Sequence, residues 1–288
     1  MISIIICSRT IKVDLSLIEN ISSTIGCPYE LIVVNNSKNK YSIFQAYNLG
    51  LKKSKGNYWC FMHDDILLHT KNWGLKIQEI FENNPKIGLI GVAGAKVKTK
   101  MPSAWWDCGI HEKAMHLKQH LENGEVEYWN IGWKESNIED VVAVDGFFMV
   151  ARPNENIYFD EDLIGFHNYD LNISLAYKMQ NLKVVVTNSI LIEHFSFGTP
   201  DIDWCKSVIN FDKRYRKKLP LQVEGTLLTD QFKRLEFKNG KLFCEKLLTN
   251  NLKMQAVYYW LRLVLFKPVS KYHFYFCKRY LKTILTNQ

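Results

Sequence analysis

One short segment constrains the fold of this chain more than any other, because a strand that reads as buried runs directly into two adjacent carboxylates. Tyr58–Met62 is apolar, and Asp64 and Asp65 follow it closely. The apolar residues favour the interior of a sheet, whereas an isolated buried carboxylate costs several kcal/mol. The pair therefore belongs at the open carboxyl edge of the sheet, where α/β folds bind ligands. Two carboxylates at such an edge can hold a hard divalent cation.

Around this segment, apolar runs typical of buried strands alternate with runs of helical periodicity. Strands are predicted at residues 3–7, 30–34, 58–62, 87–92, 141–150, 184–186 and 189–192. Helices are predicted at residues 14–22, 43–53, 73–83 and 171–179. Strands that alternate with helices at this spacing indicate βαβ units and a mostly parallel sheet. Residues 94–138 show no clear period, and we interpret them as a long irregular insertion over the sheet edge.

The charge of the chain is concentrated at its C-terminal end. The formal net charge is +8, and residues 246–288 contain eight Lys and Arg but no Asp or Glu, which leaves 29 basic and 29 acidic residues in 1–245. We divide the chain into a domain that carries the acidic pair, residues 1–205, and a basic, aromatic-rich helical extension, residues 206–288. Such an extension fits an anionic partner such as a membrane surface. The alternative is a helical appendage that packs on the first domain, and no nucleic-acid recognition motif is present.

Other sequence features indicate the compartment. No apolar run is long enough to predict a membrane-spanning helix, and the start of the chain lacks the pattern of a signal peptide. The seven cysteines are scattered without a CxxC motif, which favours buried thiols in a reducing cytosol. We therefore expect a cytoplasmic protein, with a peripheral position on the inner face of the membrane as a further possibility.

Several motifs occur in an order that resembles a known family. The N-terminal ones are Ile4–Ile6, Ile32–Ser37, Ala46–Gly50 and Lys55–Asp65, and the later ones are Asp145–Met149, Phe159–Glu161, Gly165–Leu171 and Ile192–His194. Together they resemble a family-two, A-type glycosyltransferase over about residues 1–200. The resemblance implies a GT-A fold, with a Rossmann-like nucleotide-binding half and an acceptor half.

The metal-binding DXD motif of that family maps onto His63, Asp64 and Asp65. The resemblance implies that Asp65 coordinates Mn²⁺ or Mg²⁺ on the donor diphosphate and that His194 is a second ligand, while His63 and Asp64 support the donor. A metal there acts as a Lewis acid as the nucleoside diphosphate departs. The alternatives are that the acidic pair caps the following segment and that His194 is structural.

The resemblance also implies a general base. Asp170 aligns with the second acid of the family's ED motif, whose first acid is Tyr169 here, and it would take the proton of the acceptor hydroxyl in an inverting displacement. Asp162 and His167 are rival bases, and Asp170 as a simple helix cap is the structural alternative.

The remaining predicted site residues follow strand ends and would contact the donor or acceptor. They are Ser8, Arg9, Asn35, Asn36, Asp145 and Gly146. Arg9 would pair with phosphate, the asparagines would read the nucleotide base, and Gly146 would permit close backbone approach to a ligand, although a plain turn is as good an explanation. Trp105 and Trp106 would stack on sugar faces or simply anchor their loop.

The predicted function is a metal-dependent, inverting glycosyltransferase. Its donor would be a nucleotide sugar, with UDP as the first choice because an Asn side chain can accept from the N3–H of uracil. Its acceptor would be a hydroxyl of a polysaccharide or a lipid-linked oligosaccharide. The alternatives are a sugar nucleotidyltransferase and a non-catalytic module that binds nucleotide sugars or glycans.

Overall fold

The computed structural model describes residues 1–196, 198 and 200–285 of the chain, which form mixed sheets flanked by helices. The strands are β1 (Ile2–Ser8), β2 (Tyr29–Asn35), β3 (Tyr58–Met62), β4 (Ile66–Leu68), β5 (Ile87–Gly91), β6 (Ala93–Ala95), β7 (Val97–Lys98), β8 (Lys113–His120), β9 (Val126–Ile131), β10 (Ile138–Val141), β11 (Ala143–Val144), β12 (Phe148–Ala151), β13 (Lys183–Thr187), β14 (Ile192–His194) and β15 (Leu221–Gln222). The helices are α1 (Leu15–Thr24), α2 (Ile43–Leu51), α3 (Trp73–Asn83), α4 (Tyr169–Met179), α5 (Ile202–Tyr215), α6 (Thr229–Thr249), α7 (Lys253–Phe266) and α8 (Lys271–Leu285).

The large sheet has seven strands in the order β10-β13-β5-β12-β3-β1-β2. β1, β2, β3, β5 and β13 share one direction, whereas β12 and β10 run against their neighbours. The prediction of a mostly parallel sheet is therefore confirmed. The register pairs Ser8 with Asn35 and Ile6 with Met62, so the carboxyl ends of the three N-terminal strands meet at one edge.

The interpretation of residues 94–138 as an irregular insertion was wrong, because this segment supplies much of a second sheet. That sheet has six strands: the order is β11-β6-β8-β14-β4, and β9 pairs with β8. The β8–β9 pair is an antiparallel hairpin. From Met115 to His120, buried and partly exposed residues alternate along β8. The alternation is hard to recognise in the sequence because the buried residue at position 119 is a glutamine. β9 is largely exposed and so lacks the apolar signal that marks a strand.

The strand predicted over residues 141–150 is also wrong in detail. The chain leaves the large sheet after β10, contributes β11 to the second sheet, and returns as β12. Asp145 and Gly146 lie in the break between β11 and β12. The apolar residues on both sides of Asp145 and Gly146 conceal the break, because each sheet buries its share of them completely. Likewise, the last predicted strand begins at Ile192 rather than at residue 189.

The C-terminal helices form a second hydrophobic cluster together with α5. Its buried members are Met101, Ala104, Trp204, Cys205, Val208, Ile209, Phe243, Cys244, Leu247, Leu248, Ala256, Tyr259, Leu263 and Phe276. α5 runs without a break across positions 205 and 206, where we predict the boundary between the two parts, and the extension contains the separate helices α6, α7 and α8. Within the described residues no helix is both long and apolar enough to cross a membrane. Residues 286–288 of the predicted extension lie outside the described part.

Candidate active site

Strand pairing brings together two segments that are distant in sequence. The segment after β3 is fixed by a backbone hydrogen bond in which His63 donates to the Phe147 carbonyl at 2.9 Å. β14 pairs antiparallel with β4 and places His194 opposite Ile66, next to Asp65. The Phe195 N–H also donates to the Asp65 carbonyl at 3.0 Å. The end of β3 and the end of β14 are therefore held side by side at the sheet edge.

Three side chains at this junction form a set of possible metal ligands. Ligand atoms of His63, Asp65 and His194 all lie within 4.8 Å of one another. Asp65 Oδ1 lies 3.5 Å from His63 Nδ1 and 3.8 Å from His194 Nε2. The same oxygen is buried and has no hydrogen-bond partner among the described residues. A buried, unpartnered carboxylate oxygen between two imidazoles is a fit for a divalent cation, because such an oxygen is otherwise costly to leave unpaired.

The protonation states of these groups suit a metal. Burial opposes ionisation of Asp65, but the adjacent His63 ring, with smaller effects of Ser196 and His194, holds its pKa well below the usual range. Burial, with the charge of His63, lowers the pKa of His194 to about 4, so its imidazole is neutral near pH 7. Both groups are thus in the forms that bind metals.

Gln119 on β8 sets the orientation of the His194 ring. Its side-chain N–H donates to the carbonyls of His120 and Ser196 at 2.9 and 2.8 Å, which fixes its oxygen toward His194. That oxygen lies 3.1 Å from His194 Nδ1, which must therefore carry the proton. His194 Nε2 keeps its lone pair on the side of Asp65. A hydrogen-bond partner on the ring nitrogen that faces away from the metal is typical of metal-binding histidines.

His63 is held in a similar way by Tyr169. His63 Nε2 and the Tyr169 hydroxyl lie 2.6 Å apart, so Nδ1 is the nitrogen that faces Asp65. A Cβ at position 146 would overlap the Tyr169 ring. The close approach that Gly146 permits is therefore to Tyr169. In this chain, Tyr169 replaces the expected acid and supports His63 instead.

The loop after β1 surrounds the second carboxylate of the pair. The Ser8 hydroxyl donates to Asp64 at 3.0 Å, and the Arg9 backbone N–H approaches the same oxygen at 3.4 Å. The Arg9 guanidinium is largely exposed and lies 3.3 Å from Asp65 and 3.6 Å from Asp64. The structure thus brings together Ser8, Arg9, Asp64 and Asp65, four of the predicted site residues. The exposed guanidinium can turn toward an anion that enters the site.

A cavity of about 440 Å³ opens beside these groups. Its walls include Arg9, Asn36, Tyr47, Asp64 and Asp65. Tyr47 is fully buried, yet its hydroxyl has no hydrogen-bond partner among the described residues. A buried hydroxyl in the wall of a cavity is available to a ligand.

The two predicted base-reading asparagines are engaged within the protein. The Asn36 amide is buried and exchanges hydrogen bonds with the backbone of Tyr41, both at 2.9 Å. The Asn35 oxygen accepts from the backbone N–H and the hydroxyl of Ser37. Asn36 still lines the smaller cavity, whereas Asn35 is not among its lining residues. Their contacts stabilise the turn after β2.

A larger cavity of about 840 Å³ lies on the other side of the triad. Its aromatic and aliphatic walls come mainly from the second sheet and the loop after β7: Trp105, Trp106, Ile110, Met115, Leu121, Tyr128, Trp129 and Ile131. Trp105 is buried and Trp106 is half exposed, with the two rings at right angles. The inner Trp105 anchors the loop, and Trp106 offers a face to the cavity.

Two carboxyl groups stand in the wall of the larger cavity. Burial, together with the neighbouring negative charge of Asp145, raises the pKa of Asp170 to about 7. Burial also raises the pKa of Asp145. Of the rival bases, Asp162 forms an ion pair with Arg214 at 2.7 Å and is not a lining residue, whereas His167 lines the cavity. A carboxylate with a pKa near 7 is suited to accept a proton at neutral pH.

Three residues that the sequence did not single out complete the site: Gln119, Tyr47 and Ser196. The Ser196 hydroxyl lies 3.2 Å from His194 Nε2. Ser196 follows the Ile192–His194 motif by two residues, so proximity could have suggested it. Gln119 and Tyr47 carry no signal of that kind, because their roles depend on strand pairing and on an unpaired buried atom.

Comparisons with known proteins agree with this architecture. Residues 1–219 match the model of a family described as "Glycosyltransferase like family". No curated protein matches the chain in sequence. Among solved structures, TarS 1–349 of S. aureus in complex with UDP-GlcNAc has a TM-score of 0.50 at 11% identity, over 91% of this chain and 79% of that chain. GalNAc-T7 with UDP, GalNAc and Mn²⁺ has a TM-score of 0.49 at 11% identity; the match covers 86% of this chain and only 56% of that one.

At such identities the likeness concerns the fold. The predicted α/β fold of the GT-A type, with helices at the C-terminal end, is confirmed.

Proposed function

Because the chain belongs to the glycosyltransferase-like family, we propose that it transfers a sugar from a nucleoside diphosphate donor to a hydroxyl of a glycan. The family confirms that the chain is a glycosyltransferase, and the substrates are our proposal. The observation that carries it is the unpartnered Asp65 oxygen between two imidazoles, at the meeting point of two cavities. One cavity has the groups for a donor, and the other has a base for an acceptor.

We assign the donor to the smaller cavity. Its volume suits a nucleoside diphosphate, and the exposed Arg9 guanidinium can pair with phosphate. The unpaired Tyr47 hydroxyl gives the donor a buried hydrogen-bond partner. UDP is the proposed nucleotide, in line with the UDP-GlcNAc complex of TarS. Asn36 contributes to this site through the shape of the β2 turn, and Asp64 through the position of Ser8 and Arg9.

Asp65 and His194, together with His63, would hold a divalent cation. Bound there, the cation supplies Lewis-acid stabilisation of the negative charge on the leaving diphosphate. Two imidazoles and one carboxylate suit Mn²⁺ better than Mg²⁺, which prefers oxygen ligands. We therefore propose Mn²⁺ as the preferred ion. Gln119 and Tyr169 keep the two rings oriented in the absence of substrate.

Asp170 is the proposed general base. Its carboxylate would accept the proton of the acceptor hydroxyl as that oxygen attacks the anomeric carbon and the nucleoside diphosphate departs. A single displacement of this kind inverts the configuration at the anomeric carbon. Asp145 shares the cavity wall with Asp170 and would hold a second acceptor hydroxyl.

The acceptor that we propose is a polysaccharide or a lipid-linked oligosaccharide. Aromatic side chains such as Trp106, Tyr128 and Trp129 present flat apolar faces in the larger cavity, and the apolar faces of sugar rings can pack against them. A lipid-linked acceptor would place the protein at the inner face of a membrane.

The proposal is tested by incubating the protein with UDP-, GDP-, CMP- and dTDP-sugars, with Mn²⁺ and then with a chelator. Release of one nucleoside diphosphate, dependent on metal, is the expected result. Release of pyrophosphate from a nucleoside triphosphate and a sugar phosphate would instead identify a nucleotidyltransferase. Binding of a nucleotide sugar without turnover, even with excess metal and acceptor, would identify a binding module.

A further inference from the structure

Helix α7 is apolar on two opposite faces. Its inner face packs into the second hydrophobic cluster through Ala256, Tyr259 and Leu263. Its outer face carries an exposed stripe spaced by four, three and four residues: Met254, Tyr258, Leu261 and Leu265. This spacing puts the four side chains on one side of the helix. A helix needs only one apolar face to pack on its own protein, so the outer stripe requires a second explanation.

The exposed apolar surface continues around the turn into α8. Leu265 and Val269 are 84% and 88% exposed, and Phe266 and Phe274 are exposed beside them. The turn is not loose, because the His273 ring is hydrogen-bonded to the Lys267 carbonyl at 2.8 Å. We call the set Met254, Tyr258, Leu261, Leu265, Phe266, Val269 and Phe274 the apolar ridge.

All charged side chains along α7, the turn and α8 are basic. Lys267 and Lys271 flank the turn, and Lys278 follows along α8, each with an exposed side chain. The nearest acid in sequence, Glu245, is engaged by Arg279 and Tyr272. From residue 246 to the end of the chain there is no Asp or Glu. The complementary partner is therefore both apolar and anionic.

We propose that the apolar ridge inserts into the headgroup region of a bilayer that contains anionic lipids. Exposed apolar side chains at the ridge would enter the boundary with the acyl chains, while the lysines would reach anionic headgroups along their flexible stems. The inference deepens the proposed acceptor class, and in that respect it rests on the proposed function, because it would hold the enzyme where a lipid-linked acceptor lies.

A second copy of this chain fits the ridge less well. A symmetric dimer presents the same patch from both partners, so the basic side chains of the two copies would face one another. Like charges in contact oppose such an interface. An anionic bilayer satisfies the apolar and the charged groups together.

The test measures binding of the full chain to vesicles of phosphatidylcholine alone and of phosphatidylcholine with phosphatidylglycerol, at low and high salt and without any nucleotide sugar. We expect binding to the anionic vesicles only, weakened by salt. The double variants Leu265→Gln/Val269→Gln and Lys267→Gln/Lys271→Gln should each lower the partition coefficient by about tenfold or more. All four side chains are exposed, so both variants should fold.

Two matched controls accompany these variants. Leu15→Gln changes an apolar side chain that is 73% exposed on α1, and Lys52→Gln/Lys53→Gln removes two exposed lysines after α2. Both should bind vesicles as the unchanged protein does. The proposal would be overturned if the ridge variants bound anionic vesicles as strongly as the unchanged protein. It would also be overturned if the unchanged protein did not bind these vesicles. A dimer that the Leu265→Gln/Val269→Gln change dissociates would assign the ridge to a second copy instead. Because no donor is present, these results do not depend on the proposed reaction.

Discussion

At the scale of single residues, the site is organised around polar atoms that have no hydrogen-bond partner in the part of the chain that the structure describes. The Tyr47 hydroxyl is the simplest case, because nothing else depends on it. We expect Tyr47→Phe to raise the KM for the nucleotide sugar by about tenfold, the value of one hydrogen bond, with no loss in the free energy of unfolding. Steady-state kinetics and urea unfolding measure the two effects.

Tyr177→Phe is the matched control for this prediction. The Tyr177 hydroxyl is also buried, but it donates to the Arg152 carbonyl at 2.7 Å, away from both cavities. Tyr177→Phe should lower the free energy of unfolding and leave the KM for the nucleotide sugar unchanged. An unchanged KM in Tyr47→Phe would remove Tyr47 from the donor site.

The pair Asp170 and Asp145 predicts a specific pH dependence. A base must be unprotonated, so the rate should rise with pH through about 7, the pKa to which burial and Asp145 raise Asp170. Asp145→Asn removes a negative neighbour, which lowers the pKa of Asp170 and moves this rise to lower pH. Asp170→Asn should lower kcat by about 10²–10⁴-fold. Profiles of kcat against pH for the three proteins measure this, and a rise that stays in place in Asp145→Asn would contradict the assignment.

Sequence patterns place the proposed reacting groups more readily than the groups that orient them. Asp65, His194 and Asp170 lie at strand ends or helix starts, where a linear pattern can place them. The hydrogen bond from His194 to Gln119 depends on the pairing of β14 with β8, which no local pattern specifies. The asparagines after β2 stay a prediction, and the structure adds that their side chains form hydrogen bonds within their own turn, as short polar side chains often do.

At the scale of elements, one buried carboxylate is among the groups that attach α6 to the segment after β7. Glu236 accepts from the backbone N–H groups of Lys100 and Met101, just beyond β7. Glu236→Ala would leave one buried and one partly buried donor unpaired, and we expect it to cost about 2–5 kcal/mol of the free energy of unfolding. Urea unfolding measures the cost.

The matched control for this prediction is Glu224→Ala. Glu224 is exposed shortly before α6, and its removal should change stability by less than about 0.5 kcal/mol. A loss of similar size in both variants would show that Glu236 does not anchor the helix.

Whether a strand was located from the sequence depends on how apolar and how buried it is. β1, β3 and β5 are almost completely buried and β2 is half-buried; all four read as apolar runs, so they were located closely. The β8–β9 hairpin was missed because polar side chains interrupt both of its strands and β9 is largely exposed. The division of residues 141–150 between two sheets was missed because the apolar residues on both sides of Asp145 and Gly146 are equally buried.

At the scale of the whole molecule, two hydrophobic clusters share the wall of the larger cavity. Trp204 and Ala104 belong to the cluster of the C-terminal helices and also line this cavity. α5 therefore lines the proposed acceptor site through Trp204, and the helices beyond residue 219, which lie outside the family match, pack in the same cluster as Trp204. The division of the chain near residue 205 stays a prediction, with α5 as an element common to both parts.

The central claim is that the triad of His63, Asp65 and His194 binds a metal that the donor diphosphate needs. The most direct measurement is a calorimetric titration of UDP into the protein with Mn²⁺ and with a chelator, for the unchanged chain, Asp65→Asn and Asp162→Asn. Asp162 is 72% exposed in its side chain and lies outside both cavities, so it is the matched control. The account predicts that the chelator and Asp65→Asn each weaken UDP binding by about 100-fold or more, whereas Asp162→Asn does not. UDP affinity that is the same with chelator, or unchanged in Asp65→Asn, would contradict it.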